Sequence, residues 1–203
     1  HIHVAESKMD QDLSVENYQM RVIERLEKFN LINKNSIITH GIYLSDNELD
    51  IIKKSNAVIA LNVTSNMNNA VGLPDYLKMK EKGIKAIIGN DGIAFSMASE
   101  YKSLYYAMHH TTKSPTKFNF SDLIQIINNT YQYTSDLLNT KLGRIEKGYV
   151  SDLLILPYNN PTPLNEENIF GHLFFGLFND FKPSDVFVNG NHILNNYKAN
   201  SES

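Results

Sequence analysis

The sequence contains no cysteine. Disulfide scaffolds, cysteine-ligated zinc fingers and thiol catalysis are therefore excluded, and any bound metal must be held by histidines and carboxylates. Nor is there an excess of charge of one sign. Against 22 Asp and Glu stand 19 Lys and Arg, a formal net charge of −3, with a pI near 6.2. That balance offers no field for nucleic acid or an anionic membrane, and neither is expected as a partner. A long hydrophobic run is missing as well. The most apolar stretch, Phe170 to Phe178 (FGHLFFGLF), is interrupted by Gly171, His172 and Gly176 and is too short to span a bilayer. No secretory leader is visible, so a cytoplasmic location is the default expectation. Internal repeats and low-complexity segments are also absent.

What is present is an ordinary globular composition. The chain has 203 residues, 42% of them apolar and 20% charged, enough for one domain or two small ones with a sizeable core. It opens on His1 instead of Met, which reads as a processed chain or a piece of a longer one.

From the N-terminus to about residue 142, short apolar runs alternate with helical patterns. Ile2 to Ala5 is the first run. Val15 to Phe29 (VENYQMRVIERLEKF) carries Met20, Ile23, Leu26 and Phe29 at helical spacing. Ser36 to Ile38 leads as a second strand into Thr39-His40-Gly41. Ser45 opens a helix as the first residue of a capping box, with Glu48 three positions on. Ala57 to Leu61 (AVIAL) is a continuous apolar run, as a strand buried on both faces requires. Pro74 stands near the start of a helix that stops at Lys82-Gly83. Ile84 to Ile88 is a fourth strand, broken by Gly89-Asn90-Asp91-Gly92, and helical stretches follow over Met97 to His110 and Ser121 to Asn139. A strand with a helix in each gap predicts βα units on a parallel sheet.

After Gly143 the pattern changes. Arg144 to Leu156 reads as strand, turn, strand with Lys147-Gly148 at the turn. Val186 to Leu194 reads as a hairpin around Asn189-Gly190. The polar tail from Asn195 is expected to fray.

Polar clusters recur at one structural point, the C-terminal end of a predicted strand: His1-Ile2-His3-Val4-Ala5-Glu6, Thr39-His40-Gly41 and Gly89-Asn90-Asp91-Gly92. In barrels and open parallel sheets those ends converge on the active site. His3 projects from its strand, with Glu6 just past the end. Each residue alone has an ordinary explanation: a tag-like His pair, a hydrogen-bonded strand-end His40, a turn-forming Asp91. Their joint placement is what points to metal and proton-transfer chemistry. His109 and His110 fall within a helix and read as solvated, and His172, in an apolar loop, and His192 read as structural.

These motifs, in this order, resemble the amidohydrolase superfamily, in its branch of nucleobase and adenosine-like deaminases and triazine chlorohydrolases. The elements carrying the resemblance are His3-x-x-Glu6, Thr39-His40-Gly41, Ser65-Asn66-Met67 ahead of Gly72, and Asn90-Asp91-Gly92. To them add Leu142-Gly143-Arg144-Ile145-Glu146-Lys147-Gly148 with Ser151-Asp152-Leu153, and Val186-Phe187-Val188-Asn189-Gly190. Within that branch Ser65 to Gly72 and Pro161 to Gly176 are most similar to SsnA-type aminohydrolases. The resemblance implies an α/β chain that is the C-terminal half, strands five to eight, of a TIM-like metal-dependent hydrolase barrel plus part of a small β domain. Residues 1–142 would supply the barrel units and following helices. Residues 143–203 would supply the small β domain segment, with a loop returning toward the barrel.

It also implies roles. His3 would ligate a Zn²⁺ or Fe²⁺ ion, and so would Asp91, which would in addition take a proton from the attacking water. Glu6 would protonate a ring nitrogen of an amino-heterocycle, and His40 would hydrogen-bond the attacking oxygen. The family's remaining ligands form a His-x-His pair upstream of the strand-five histidine, and no such pair precedes His3 in that role. A catalytically incomplete half is thus expected, needing an N-terminal half of the same protein. The alternative is a non-catalytic α/β interaction module. Open sheet edges would favour homo-oligomers in either case.

Overall fold

The computed structural model describes residues 1–93 and 95–199, and the chain divides into two compact units, 1–130 and 131–203. The division falls within the last long helix, ahead of the boundary read from the sequence after Leu142.

The first unit is built on four parallel strands: β1 (Ile2–Val4), β2 (Ile37–His40), β3 (Val58–Leu61) and β4 (Ala86–Ile88). They neighbour one another in sequence order. The register runs His3 against Thr39, Thr39 against Ala60 and Ala60 against Ile87. Among the described residues β1 pairs only with β2, and β4 only with β3. β2, β3 and β4 are largely buried, whereas Ile2 and His3 of β1 are exposed. Ile38, Ile59, Leu61, Ala86 and Ile88 are all buried, as are Met79, Leu104, Leu123 and Ile126.

The connecting helices are α1 (Lys8–Tyr18), α2 (Val22–Lys28), α3 (Asp46–Ser55), α4 (Val63–Asn68), α5 (Tyr76–Glu81), α6 (Met97–Thr112) and α7 (Phe120–Leu138). The single helix expected over Val15 to Phe29 is instead two. Gln19 takes a left-handed conformation (φ 55°) and closes α1, and the free N–H of Ile23 at the start of α2 donates to the buried Glu48 carboxylate at 3.2 Å. The Ser45–Glu48 capping box forms as expected. His109 is not solvated: its Nε2 donates to the Phe118 carbonyl at 2.7 Å and its ring lies 4.1 Å from that of Tyr105.

The second unit carries an antiparallel sheet of β5 (Leu153–Ile155), β6 (Asp185–Val188), β7 (Asn191–Asn195) and β8 (Lys198–Ala199), in that spatial order. Asn189 (φ 49°) and Gly190 (φ 79°) form the β6–β7 turn with both residues left-handed, the conformation that suits strand twist in a two-residue hairpin. The strand expected from Arg144 is absent. Gly143 and Gly148 both have positive φ and Ile145 is 91% exposed, so the segment turns without meeting a partner strand. The apolar stretch expected as a loop is helical from Ile169 to Asn179. There His172 bonds Tyr158 Oη at 2.7 Å and Thr162 Oγ1 at 3.0 Å. His192 bonds Asp185 at 2.9 Å. Both histidines are thus held structurally, as expected. Of the tail expected to fray, Lys198–Ala199 pairs with β7, and residues 200–203 lie outside those described. No described helix is long and apolar enough to cross a membrane.

Candidate functional site

The site lies where the parallel strands end. Ala5, directly after β1, has φ 50°; His40, the last residue of β2, has φ 71°; Asp91, past β4, has φ 50°. Left-handed backbone at a non-glycine residue is uncommon, and it clusters where side chains must be re-aimed at a functional centre. The turn after β2 is fastened to the end of β1. Gly41 N–H donates to Val4 O at 3.0 Å, and the N–H groups of Ile42 and Tyr43 both donate to Ala5 O at 3.1 Å. Gly41 needs its missing side chain: at φ 60°, a Cβ there would sit 3.1 Å from Leu44 Cδ1.

This backbone brings three predicted side chains together. Ligand atoms of His3, Glu6 and His40 all lie within 4.8 Å of one another. The His3 and His40 rings meet edge to face with centroids 4.9 Å apart, and His40 Nε2 is 3.6 Å from Glu6 Oε2. His3 is exposed, Glu6 half-buried and His40 fully buried. Asp91 is not part of this close group among the described residues. It is exposed, and its Oδ2 accepts from Ser65 Oγ at 2.6 Å. His1 bonds Thr39 Oγ1 through Nε2 at 2.8 Å, on the neighbouring strand.

The sequence marks residues 62–72, with the motif Ser65-Asn66-Met67, as pocket-shaping, but it assigns no individual role to the side chains there that connect these groups. Helix α4 and the residue after it reach three of the four candidates: Ser65 reaches Asp91, Asn66 Oδ1 lies 2.7 Å from His40 Nδ1, and Asn69 Nδ2 donates to Glu6 Oε1 at 3.1 Å. The N-terminal end of α4 is tied by a buried carboxylate on α6, since Thr64 N–H donates to Glu100 Oε1 at 3.0 Å. The available signal was a polar run, Ser65-Asn66-Met67-Asn68-Asn69, immediately after a strand buried on both faces. Such a run must direct its polar groups at something other than the core.

The arrangement suits hydrolytic chemistry. It has imidazole and carboxylate donors for a borderline divalent ion and, in Glu6, a carboxylate that can move a proton. His40 Nε2 supports the fit to a metal-assisted site, being buried with no hydrogen-bond partner among the described residues.

The chain is similar to known proteins in sequence and in fold. The chain is 27% identical over 205 residues to a 5-methylthioadenosine/S-adenosylhomocysteine deaminase of Clostridium tetani, with 96% of this chain and 46% of that protein covered. It is 28% identical over 203 residues to a 5'-deoxyadenosine deaminase of Methanopyrus kandleri, with 97% and 46% covered. In three dimensions it superposes on a zinc-bound adenosine deaminase from Xanthomonas campestris with a TM-score of 0.82 at 21% identity, covering all of this chain and 47% of the other. It also superposes on the atrazine chlorohydrolase of Arthrobacter aurescens with a TM-score of 0.79 at 20% identity, covering 99% and 45%. The chain spans about half the length of the curated relatives it matches. A sequence model of the amidohydrolase family matches residues 1–193, and the chain belongs to that family.

Proposed function

We propose that this chain is the C-terminal part of a metal-dependent aminohydrolase that removes the ring amine of an adenosine-like purine by hydrolysis. The observation that carries the proposal is the meeting of His3, Glu6 and His40 at adjacent strand ends. The named activities of its relatives support the substrate class.

His3 and Asp91 would hold the ion, with further ligands from an N-terminal half of the same protein. Zinc is preferred to iron, because the superposed adenosine deaminase and chlorohydrolase bind zinc. An ion held there would supply Lewis acidity, which lowers the pKa of a water toward neutrality so that no strong base is needed. Glu6, half-buried and steadied by Asn69, gives a proton to a ring nitrogen of the purine and so draws electron density from the amine-bearing carbon. His40 accepts a hydrogen bond from the attacking water. Asp91 takes one proton of the attacking water and passes it to the departing amine, and the water's second proton returns to Glu6 as the carbonyl forms. Overall, N=C–NH2 and water become HN–C=O and ammonia.

Two side chains seldom retain zinc tightly where three or four are the rule. Titrated with zinc, the 203-residue chain is expected to show no tight, stoichiometric binding; such binding would contradict the divided ligand set. The activity itself is tested with the full-length protein, including the sequence that precedes His1. Zinc-loaded protein is expected to release ammonia from 5'-deoxyadenosine or 5'-methylthioadenosine. Failure on these and on other amino-heterocycles would refute the aminohydrolase assignment and favour an interaction module.

A further inference from the structure

His40 and Asn66 are both fully buried, and ring Nδ1 lies 2.7 Å from the amide Oδ1. An amide oxygen only accepts, so Nδ1 carries the hydrogen of this bond. In the neutral imidazole the other nitrogen is then a bare lone pair. That nitrogen, Nε2, is one of four buried side-chain atoms without a hydrogen-bond partner among the described residues, Asn66 Nδ2 being another, and it faces Glu6 across 3.6 Å. Leaving such a buried atom unpaired is unfavourable. The arrangement makes sense where a water or reacting group supplies the missing partner.

Asn66 is well placed to impose this state. Its N–H donates to Asn62 O at 3.0 Å, its carbonyl accepts from Val71 N–H at 3.2 Å, and α4 is tied at its start by Glu100. The His40 backbone is itself constrained at φ 71°. A rigid acceptor on one side of the ring therefore selects the tautomer on the other.

We propose that Asn66 is a positioning residue, which fixes His40 with hydrogen on Nδ1 and presents Nε2 as a hydrogen-bond acceptor to the space beside His3 and Glu6. The identity of what occupies that space rests on the aminohydrolase assignment, whereas the tautomer does not. An Nε2–H tautomer could only donate there, and an attacking water would be turned the wrong way.

The test is a two-bond ¹H–¹⁵N correlation spectrum of the histidine-labelled 203-residue chain, with His40 assigned by the signal lost in His40→Gln. The neutral ring is expected to show the Nδ1–H pattern. Asn66→Ala should lose that preference, and Asn66→Asp, which keeps an acceptor oxygen, should restore it. An Nε2–H pattern in the unsubstituted chain, or an Asn66→Ala spectrum identical to it, overturns the proposal. If Asn66→Ala does not fold, the unsubstituted spectrum alone decides. In the active full-length protein, Asn66→Ala should lower kcat about tenfold to a hundredfold with KM little changed, and Asn66→Asp should recover part of it. Unchanged kcat would count against the proposal. An enzyme inactive on every amino-heterocycle would remove the deaminase assignment and leave the spectral result standing.

Discussion

Replacing Asp91 with Asn in the full-length protein is expected to lower ammonia release by about a thousandfold or more, while leaving the fold intact. Proton transfer by one positioned side chain contributes roughly 10²–10⁴ in rate, and the same residue is proposed to ligate the ion. The fold should survive for local reasons. Asp91 is exposed and lies past the end of β4, so no core contact is lost. Asn matches Asp in shape and tolerates the left-handed conformation found there, φ 50°. Its amide oxygen can still accept from Ser65 Oγ, now at 2.6 Å from the carboxylate. What Asn cannot do is take a proton or bring negative charge to a cation. Paired kinetic and thermal-unfolding measurements check this: activity should collapse with stability changed by less than about 0.5 kcal/mol, the usual range for a surface substitution. Undiminished ammonia release would remove Asp91 from the mechanism.

The second large effect is on stability and is expected at Glu48. This carboxylate is fully buried at the start of α3. It accepts from Arg21 Nε at 2.6 Å, Ser45 N–H at 2.9 Å, Gln11 Nε2 at 3.0 Å and Ile23 N–H at 3.2 Å. It therefore joins α1, α2 and α3. Arg21 and Gln11 also reach the Tyr43 carbonyl, in the turn that follows His40. Glu48→Ala leaves several donors unpaired together with a partly buried guanidinium. Removing one partner of a buried pair typically costs about 3–5 kcal/mol, and urea unfolding should register a loss of that size. A change below about 1 kcal/mol would show that the network behaves as a surface ion pair.

The same residue predicts a pH dependence. Burial pushes the Glu48 carboxyl up, but the hydrogen bonds from Ser45, Arg21, Gln11 and Ile23 together outweigh it and hold the pKa below its ordinary value of 4.5. A lowered folded-state pKa means that the carboxylate's contribution is fully present above the unfolded value and is lost as pH falls through the folded one. Unfolding free energy should decline below about pH 4.5, with a shallower decline in Glu48→Gln.

Glu48 also illustrates what the sequence could convey. Its capping box with Ser45 is a local signal and was legible. So were the doubly buried strand at Ala57 to Leu61 and the Asn189-Gly190 turn, because each depends on neighbours within a few positions. The break between α1 and α2 was not legible. Helical periodicity runs straight through Met20 to Phe29, and the group that captures Ile23 N–H comes from 25 positions away in sequence. Long separations along the chain likewise hid what the individual side chains of α4 do, although Ser65-Asn66-Met67 was legible as a motif. Its polar residues have no apolar period, and their purpose emerges only once the strand ends bring His40, Asp91 and Glu6 within reach of Ser65, Asn66 and Asn69. Arg144 to Lys147 failed in the opposite sense, since a strand-like pattern forms no strand without a partner. At the site, residue types and strand-end placement named His3, Glu6 and His40 as neighbours. They did not reveal that Asp91 stands apart from that group, held by Ser65.

The proposed active site is divided, one part on this chain and the rest on an N-terminal half of the same protein. Mixing the purified 203-residue chain with a separately expressed N-terminal half, in the presence of zinc, tests it most directly. Ammonia release from 5'-deoxyadenosine is expected only when both halves are present, and not when the chain carries Asp91→Asn. Equal activity from either half alone, or none from the mixture while the intact full-length enzyme is folded and zinc-loaded yet also inactive, would contradict it.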